Sequence, residues 1–347
     1  MAACPDPASP SAAERAAAAR ARAGRRLAGA ITDLFLGDDA RLDERTRLAL
    51  AARLAETVGG IETELRRQAA RLLAARGAAP LAERLLAGDG STAMERLARA
   101  GLLQDEALID ELIAQVRHDQ LAAALRSGEG PEATSLLVRL AGVPDRVVAT
   151  AARALLVADS RDGPSLPVEL QHRLIWWVAA AIRPARAEPD ADRAIAEAAT
   201  RSLSGHDEGE RTGAVAMRLA AAIDARADEV APLLVEVLGD RRLSLFTAVL
   251  AHAVGLDFDQ ARALVLEPEG ERLWLALRVL QLDRPTIARI ALALADADPR
   301  RDIEAFADRL DAVAAVDPAE ARLALAPETL DRDFRAAIAA LARSGRR

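Results

Sequence analysis

The sequence contains no Tyr, no Lys and no Asn, and its aromatic residues are five Phe and three Trp. All 46 basic residues are therefore Arg. Without lysine, neither a P-loop phosphate site nor Schiff-base chemistry is available. The scarcity of aromatic and β-branched residues argues against β-sandwiches and barrels, and against binding sites built on aromatic stacking.

Cysteine and histidine are also scarce, with one Cys and four His in 347 residues. Cys4 cannot form an internal disulfide, which fits a reducing compartment. So few thiols and imidazoles leave little for a metal site, and we expect none. The charged run at His206, Asp207, Glu208 and Glu210 lacks the alternating oxygen ligands of a calcium loop, so we interpret it as a solvated loop.

Long apolar runs are missing as well. The longest, residues 174–182, is about half of the roughly 18 residues that a transmembrane helix needs. Arginines interrupt residues 11–26, so no signal-peptide core is recognisable there. We expect a cytoplasmic protein with no membrane span.

Motifs that carry catalysis are absent: G-x-S-x-G, C-x-x-C and H-E-x-x-H do not occur. We therefore predict that the protein is not an enzyme and holds no cofactor. The net charge of −7 and the pI of about 5.4 argue against nucleic-acid binding. The helices predicted at residues 258–266, 271–281 and 285–296 could mimic a helix-turn-helix, but the last of them offers only Arg289 to a base edge.

What the chain has in abundance is alanine, about a quarter of all residues, together with Leu, Arg and Glu. These are good helix formers. Glycine and proline residues separate the segments rich in these residues, and this pattern predicts roughly eighteen short helices and no strand. Among the predicted boundaries are a helix stop at Gly59-Gly60, an N-cap at Ser91 and a helix start at Pro232.

Three segments resemble each other: residues 79–100, 135–158 and 231–254 each read as a helix, a short turn and a second Ala-rich helix. The pattern is similar to HEAT repeats, so we predict an all-α fold, either a HEAT-like α-solenoid or an irregular multi-helical array. Residues 1–29 read as a disordered tip followed by a basic Ala/Arg helix. Residues 30–160 and 161–347 would form two sets of helical repeats, with a soft boundary.

One helix stands out because it holds two of the three tryptophans; we assign the third, Trp274, to the core. On residues 167–184, PVELQHRLIWWVAAAIRP, His172 and Trp176 are four apart and share a face, with Arg173 and Trp177 one step round. Tryptophan and arginine are typical of binding hot spots, so we predict a partner-binding patch in which Trp anchors and Arg pairs with an acidic partner. The alternative is structural: one Trp lies in the core and the other fills a helix junction.

Residues 31–73, residues 167–184 and residues 258–294 (FDQARALVLEPEGERLWLALRVLQLDRPTIARIALAL) together resemble the DUF2336 family, over about residues 30–345. This is a helical, repeat-containing family of α-proteobacteria without a characterised activity. The resemblance implies a helical bacterial protein with a regulatory or adaptor role, and it brings no catalytic residues.

Our first hypothesis is therefore a non-enzymatic scaffold or adaptor that binds a protein partner through a helical-repeat surface, with homo-oligomers left open. The second is a small-ligand sensor or enzyme with a pocket between helices. The third is weak nucleic-acid binding through the basic arm at residues 11–26.

Overall fold

The computed structural model describes residues 42–88, 90–127, 135–160, 166–184 and 188–331, together with 334, 335, 337, 338 and 341. Within these ranges the chain forms sixteen α-helices and three short 3-10 helices, and no strand. The predicted all-α class is confirmed. The predicted disordered tip and basic helix of residues 1–29 lie outside the described residues.

The helices of the first half of the chain follow one another with short connections. They are α1 (Glu44–Ala75), α2 (Ala79–Ala87), α3 (Ala93–Arg99), α4 (Glu106–Ser127), α5 (Leu136–Leu140), α6 (Arg146–Asp159), α7 (Val168–Ala181) and α8 (Pro189–Ser204).

The second half continues in the same way. Its helices are α9 (Thr212–Ile223), α10 (Ala227–Gly239), α11 (Leu243–Val254), α12 (Phe258–Leu266), α13 (Glu271–Val279), α14 (Arg284–Ala297), α15 (Ile303–Ala315) and α16 (Pro318–Leu325).

Side-chain caps explain many of the helix starts. Asp145 accepts from the backbone N–H groups of Val147 and Val148, and Asp257 forms a reciprocal capping box with Gln260. The N-cap predicted at Ser91 is wrong by one residue. Thr92 holds that position and forms a capping box with Glu95.

Two predicted boundaries are wrong for reasons of packing. Helix α1 runs through Gly59-Gly60 because Val58, Leu65 and Leu73 lie on its one buried face, and this burial outweighs the weak helix propensity of two glycines. Helix α10 starts at Ala227, five residues before Pro232, so that the proline lies inside the helix.

The hydrophobic residues of the fold form two clusters, which both lie within residues 49–347. The first core draws on residues 58–112 and 166–203, and the second core on residues 121–158 and 215–325. Helix α4 takes part in both, since Leu108 and Leu112 belong to the first core and Leu121 and Leu125 to the second. Between these residues α4 carries Gln115, His118 and Asp119, with Val116 buried beside them.

The three look-alike segments all fold as a helix, a turn and a second helix, but their first helices have nine, five and thirteen residues. The Asp-Arg step that two of them share has two different roles. Asp145 caps its own second helix, whereas Asp240 Oδ2 accepts from the backbone N–H of Leu136 at 3.0 Å, at the start of α5. A regular HEAT-like repeat stays a prediction.

By compactness the chain divides into residues 1–48 and residues 49–347. In the first unit the described part is residues 42–48, where Asp43 accepts a hydrogen bond from the Thr46 backbone N–H at 2.8 Å. The division predicted near residue 160 stays a prediction. None of the helices that the structure describes has the length and apolar character needed to cross a bilayer.

Candidate functional site

The tryptophan patch lies on the outer face of α7. Leu170, Leu174, Ile175 and Val178 bury the inner face of this helix in the first core. Because an α-helix has 3.6 residues per turn, His172 and Trp176, which are four residues apart, lie together on the opposite, outer side of α7. His172, Arg173, Trp176 and Trp177, with Val168 and Glu169, line a shallow surface groove of about 540 Å³.

Contacts within the patch hold its side chains in place. The Trp176 indole N–H donates to His172 Nε2 at 3.4 Å, and the two rings meet edge to face with centroids 6.4 Å apart. The Arg173 guanidinium lies 6.0 Å from the centre of the Trp177 ring, within cation–π range. Arg173 Nη1 also donates to Asp105 Oδ2 at 2.6 Å.

The tryptophans differ in burial. Trp176 is 38% exposed, whereas Trp177 is half-buried and packs against the first core. Trp274, which the sequence assigns to the core, is 4% exposed and packs on Phe306, so that assignment is confirmed. The structure thus brings the four predicted patch residues together and leaves Trp176 open to contact.

A second convergence of polar side chains lies elsewhere, around the middle of α4. A cavity of about 440 Å³ is lined by residues from α1, α4, α6, α9, α11 and α12. Its charged lining residues are Arg53, Arg126, Arg211, Arg241, Arg242, Arg262, Asp119 and Asp159. Four of these arginines are ion-paired: Arg53 with Asp119, Arg242 with Asp159, and both Arg211 and Arg262 with Glu111.

The inner arginines of this cavity are held by a buried carboxylate. Glu111 on α4 is 1% exposed, and its Oε2 accepts from Arg262 Nη2 at 2.6 Å. Arg211 Nη2 lies 3.5 Å from Glu111 Oε1, and Gln115 donates to the same oxygen at 2.8 Å. Burial opposes the charge of Arg262, but Glu111 and Asp259 outweigh it, so the pKa of Arg262 lies above its ordinary value.

His118, which lies on α4 about two turns after Glu111, is kept neutral. Burial, reinforced by the nearby charges of Arg262 and Arg126, lowers the pKa of His118 to about 3. Its Nε2 is buried and has no hydrogen-bond partner among the described residues. Asp159 behaves in the opposite sense, since burial raises the pKa of its carboxyl although Arg242 lies 3.6 Å away.

Sequence reasoning missed this cavity because its residues lie far apart in the chain. Arg53 pairs with Asp119 across 66 positions, and Arg262 pairs with Glu111 across 151. No window of sequence contains such a pattern. The one usable signal was indirect, namely Glu111, Gln115 and His118 at helical spacing in a helix with apolar residues on either side.

The charged run around His206 folds as a short 3-10 helix, Glu208–Glu210, at which Asp207 accepts from the Gly209 backbone N–H at 2.8 Å. Within the described ranges, no three His, Cys, Asp or Glu side chains are grouped so that they could hold a metal ion.

Comparison with known proteins gives one finding. Residues 161–326 match the DUF2336 family, whose description is "uncharacterised protein conserved in bacteria". The match confirms the resemblance inferred from the sequence for this range, and the resemblance of residues 31–73 stays a prediction. No curated protein and no solved structure matches the chain.

The DUF2336 match spans α7 to α16 and so contains the whole tryptophan patch. It contains four of the six cavity arginines, Arg211, Arg241, Arg242 and Arg262, whereas Arg53 and Arg126 precede it. The patch is thus internal to the DUF2336 segment, and the cavity is formed jointly with α1 and α4.

Proposed function

We propose that the protein is a non-enzymatic adaptor of the bacterial cytoplasm that binds a protein partner through the tryptophan patch on α7. The observation that carries the proposal is the 38% exposure of Trp176 beside His172 and Arg173, on a helix whose other face is fixed in the core. Tryptophan and arginine dominate binding energies when partners desolvate them.

Preorganisation supports this role. His172 holds the Trp176 indole, and Asp105 holds Arg173 with one carboxylate oxygen while the other caps α4 at the Leu108 N–H, 2.9 Å away. Side chains that are fixed before binding lose less conformational entropy when the partner arrives. The partner would present an apolar side chain to Trp176, and its carboxylate would use the remaining N–H groups of Arg173.

The patch anchors a larger interface. A stable interface covers about 800 Å² on each partner, which is more than the outer face of one helix offers. Helices next to α7 must supply the rest. Stacked helical hairpins of the HEAT kind would provide such a surface, and the three helix–turn–helix segments support that part of the proposal.

The test compares matched variants in one experiment. Tagged wild-type protein, Trp176→Ala and Leu323→Ala would be cross-linked in lysate of the source bacterium and analysed by mass spectrometry. Leu323 is 78% exposed and lies outside the patch, so its variant controls for the loss of any exposed apolar side chain.

We expect one partner that wild type and Leu323→Ala retain and Trp176→Ala loses, with cross-links at residues 160–190. Circular dichroism should show that both variants are folded. A partner that binds Trp176→Ala as well as wild type would refute the assignment of the patch, as would the absence of any specific partner. Light scattering of the purified chain tests whether the partner is a second copy.

A further inference from the structure

The cavity beside α4, which has no part in the proposed adaptor surface, has the character of an anion site. Its lining residues include six arginines and two aspartates. Four of the arginines, Arg53, Arg211, Arg242 and Arg262, are ion-paired, so the positive charge that could attract an anion comes from Arg126 and Arg241. The volume of about 440 Å³ lies within the range of small-molecule sites, about 300–1,000 Å³.

The arginines form an inner and an outer group. Arg211 and Arg262 are the inner pair, largely buried and tied to Glu111. Arg126 and Arg241 are the outer pair, which the structure joins through a hydrogen bond from Arg241 Nη1 to the Arg126 carbonyl at 3.1 Å. Among the described residues neither member of the outer pair has a carboxylate within ion-pair distance.

Two helix N-termini open into the same cavity. Thr212 and Gly213 begin α9, and Leu243 and Ser244 begin α11, and all four line the cavity. The N-cap side chains, Arg211 and Arg242, do not cap the first N–H groups, and the Asp159 carboxylate accepts a hydrogen bond from the Ser244 side chain at the start of α11. Such ends carry partial positive charge and unsatisfied donors, which favour anions.

A buried, unpartnered polar atom lies beside the cavity. His118 lines the cavity and its Nε2 has no hydrogen-bond partner among the described residues. Arginine is the side chain best suited to phosphate, because its planar fork donates two parallel hydrogen bonds. Two separate pairs of guanidinium groups suit an anion that carries charge at two places better than they suit a single phosphate.

We propose that this cavity binds a small ligand with two linked phosphate groups, either inorganic pyrophosphate or the diphosphate of a nucleotide. Arg126 and Arg241 contact the outer phosphate, and Arg211 and Arg262 direct the inner one toward the starts of α9 and α11. Binding requires no chemical step.

The test is titration calorimetry on the full chain at fixed ionic strength, with EDTA to remove divalent cations. The probes are pyrophosphate, ADP, AMP, inorganic phosphate and adenosine. We expect saturable one-to-one binding of pyrophosphate or ADP, at least tenfold weaker binding of inorganic phosphate, and none of adenosine. ADP tighter than pyrophosphate would identify a nucleotide site, and the reverse order an inorganic one.

Variants of the outer pair test the location. Arg126→Gln and Arg241→Gln should each weaken binding of the better probe about tenfold, since each removes a charge-assisted contact. The matched control is Arg193→Gln on α8, which changes an arginine that is 3.9 Å from Asp190 and outside the cavity. It should leave the affinity within twofold.

Three results would overturn the proposal. One is the lack of saturable binding of both pyrophosphate and ADP. Another is equal binding of inorganic phosphate and pyrophosphate. The third is an equal loss of affinity in Arg126→Gln and Arg193→Gln, which would indicate non-specific attraction to surface charge. Melting temperatures of the ligand-free variants that are not below that of wild type show that a loss of affinity is not a loss of fold.

Discussion

Replacement of Glu111 by Gln should destabilise the protein more than most single substitutions. Glu111 is 1% exposed and its partner Arg262 has a side chain 7% exposed, so the variant leaves this buried guanidinium with the 38% exposed Asp259 in place of a buried carboxylate. Arg211 loses its nearest buried carboxylate as well. Breaking a buried ion pair from one side costs about 3–5 kcal/mol. The Gln side chain keeps one oxygen that accepts hydrogen bonds, so we expect a loss of stability at the lower end of this range, about 3 kcal/mol.

Urea denaturation at pH 7 measures this loss directly, and the melting temperature should fall by about 4 °C in a chain of this size. A second variant separates the charge from the packing. Glu111→Gln with Arg262→Met removes the cation as well, and should be more stable than Glu111→Gln alone. The two single variants and the double variant complete a mutant cycle for the coupling.

The cavity proposal adds a further expectation for the same variant. Because a bound anion supplies negative charge to Arg211 and Arg262, pyrophosphate should raise the melting temperature of Glu111→Gln more than that of wild type. A cost of Glu111→Gln below about 1 kcal/mol would refute the reasoning on the buried pair. Equal ligand-induced shifts would refute its connection to the cavity.

Three other predictions concern stability. The pKa of His118 is about 3 in the folded protein and about 6.5 when exposed, so the unfolded chain binds more protons between these values. The stability of the protein is therefore fully present above pH 6.5 and falls as the pH drops. Between pH 7 and pH 5, urea denaturation should show a loss of stability that is up to about 2 kcal/mol larger in wild type than in His118→Gln. Gly59→Ala and Gly60→Ala should each raise the free energy of unfolding by about 0.5–1 kcal/mol, because an added Cβ meets nothing within 4 Å and α1 is helical there; no gain would mean that the helix is interrupted at this point. Gly213→Ala should lower it by about 1–3 kcal/mol, because its Cβ would lie 2.5 Å from the Phe258 ring, and a neutral effect would show that the ring moves freely.

Local chemistry made part of the fold predictable from the sequence. The helices at residues 258–266, 271–279 and 284–297 agree with prediction to within two residues at each end, since Asp257 and Asp283 cap two of them through short-range contacts. The helix boundaries predicted at Gly59-Gly60 and Pro232 were wrong because burial of one face of each helix outweighed these local signals. A single helix carries the whole tryptophan patch, so its spacing could be read from the chain.

The cavity was beyond such reasoning. Its arginines look like ordinary surface residues in a chain where every basic residue is Arg. What gathers them is the passage of α4 from the first core to the second, which leaves Glu111, Gln115 and His118 between two apolar clusters. Only the tertiary pairing of α4 with α9, α11 and α12 turns that polar stretch into a site.

Among the described residues, the fold uses the outer arginines for one hydrogen bond, from Arg241 Nη1 to the Arg126 carbonyl, and for the attraction of Arg126 to Asp119 and Asp159. Neither arginine has a carboxylate within ion-pair distance there, and both add positive charge to a cavity that holds four other guanidinium groups. Like charges in one cavity repel, so Arg126→Gln with Arg241→Gln should stabilise the ligand-free protein by about 0.5–1 kcal/mol in urea denaturation. The same variant should lose the stabilisation that pyrophosphate gives to wild type. A loss of stability without ligand would show that the two arginines serve the fold, and an anion would no longer be needed to explain their position.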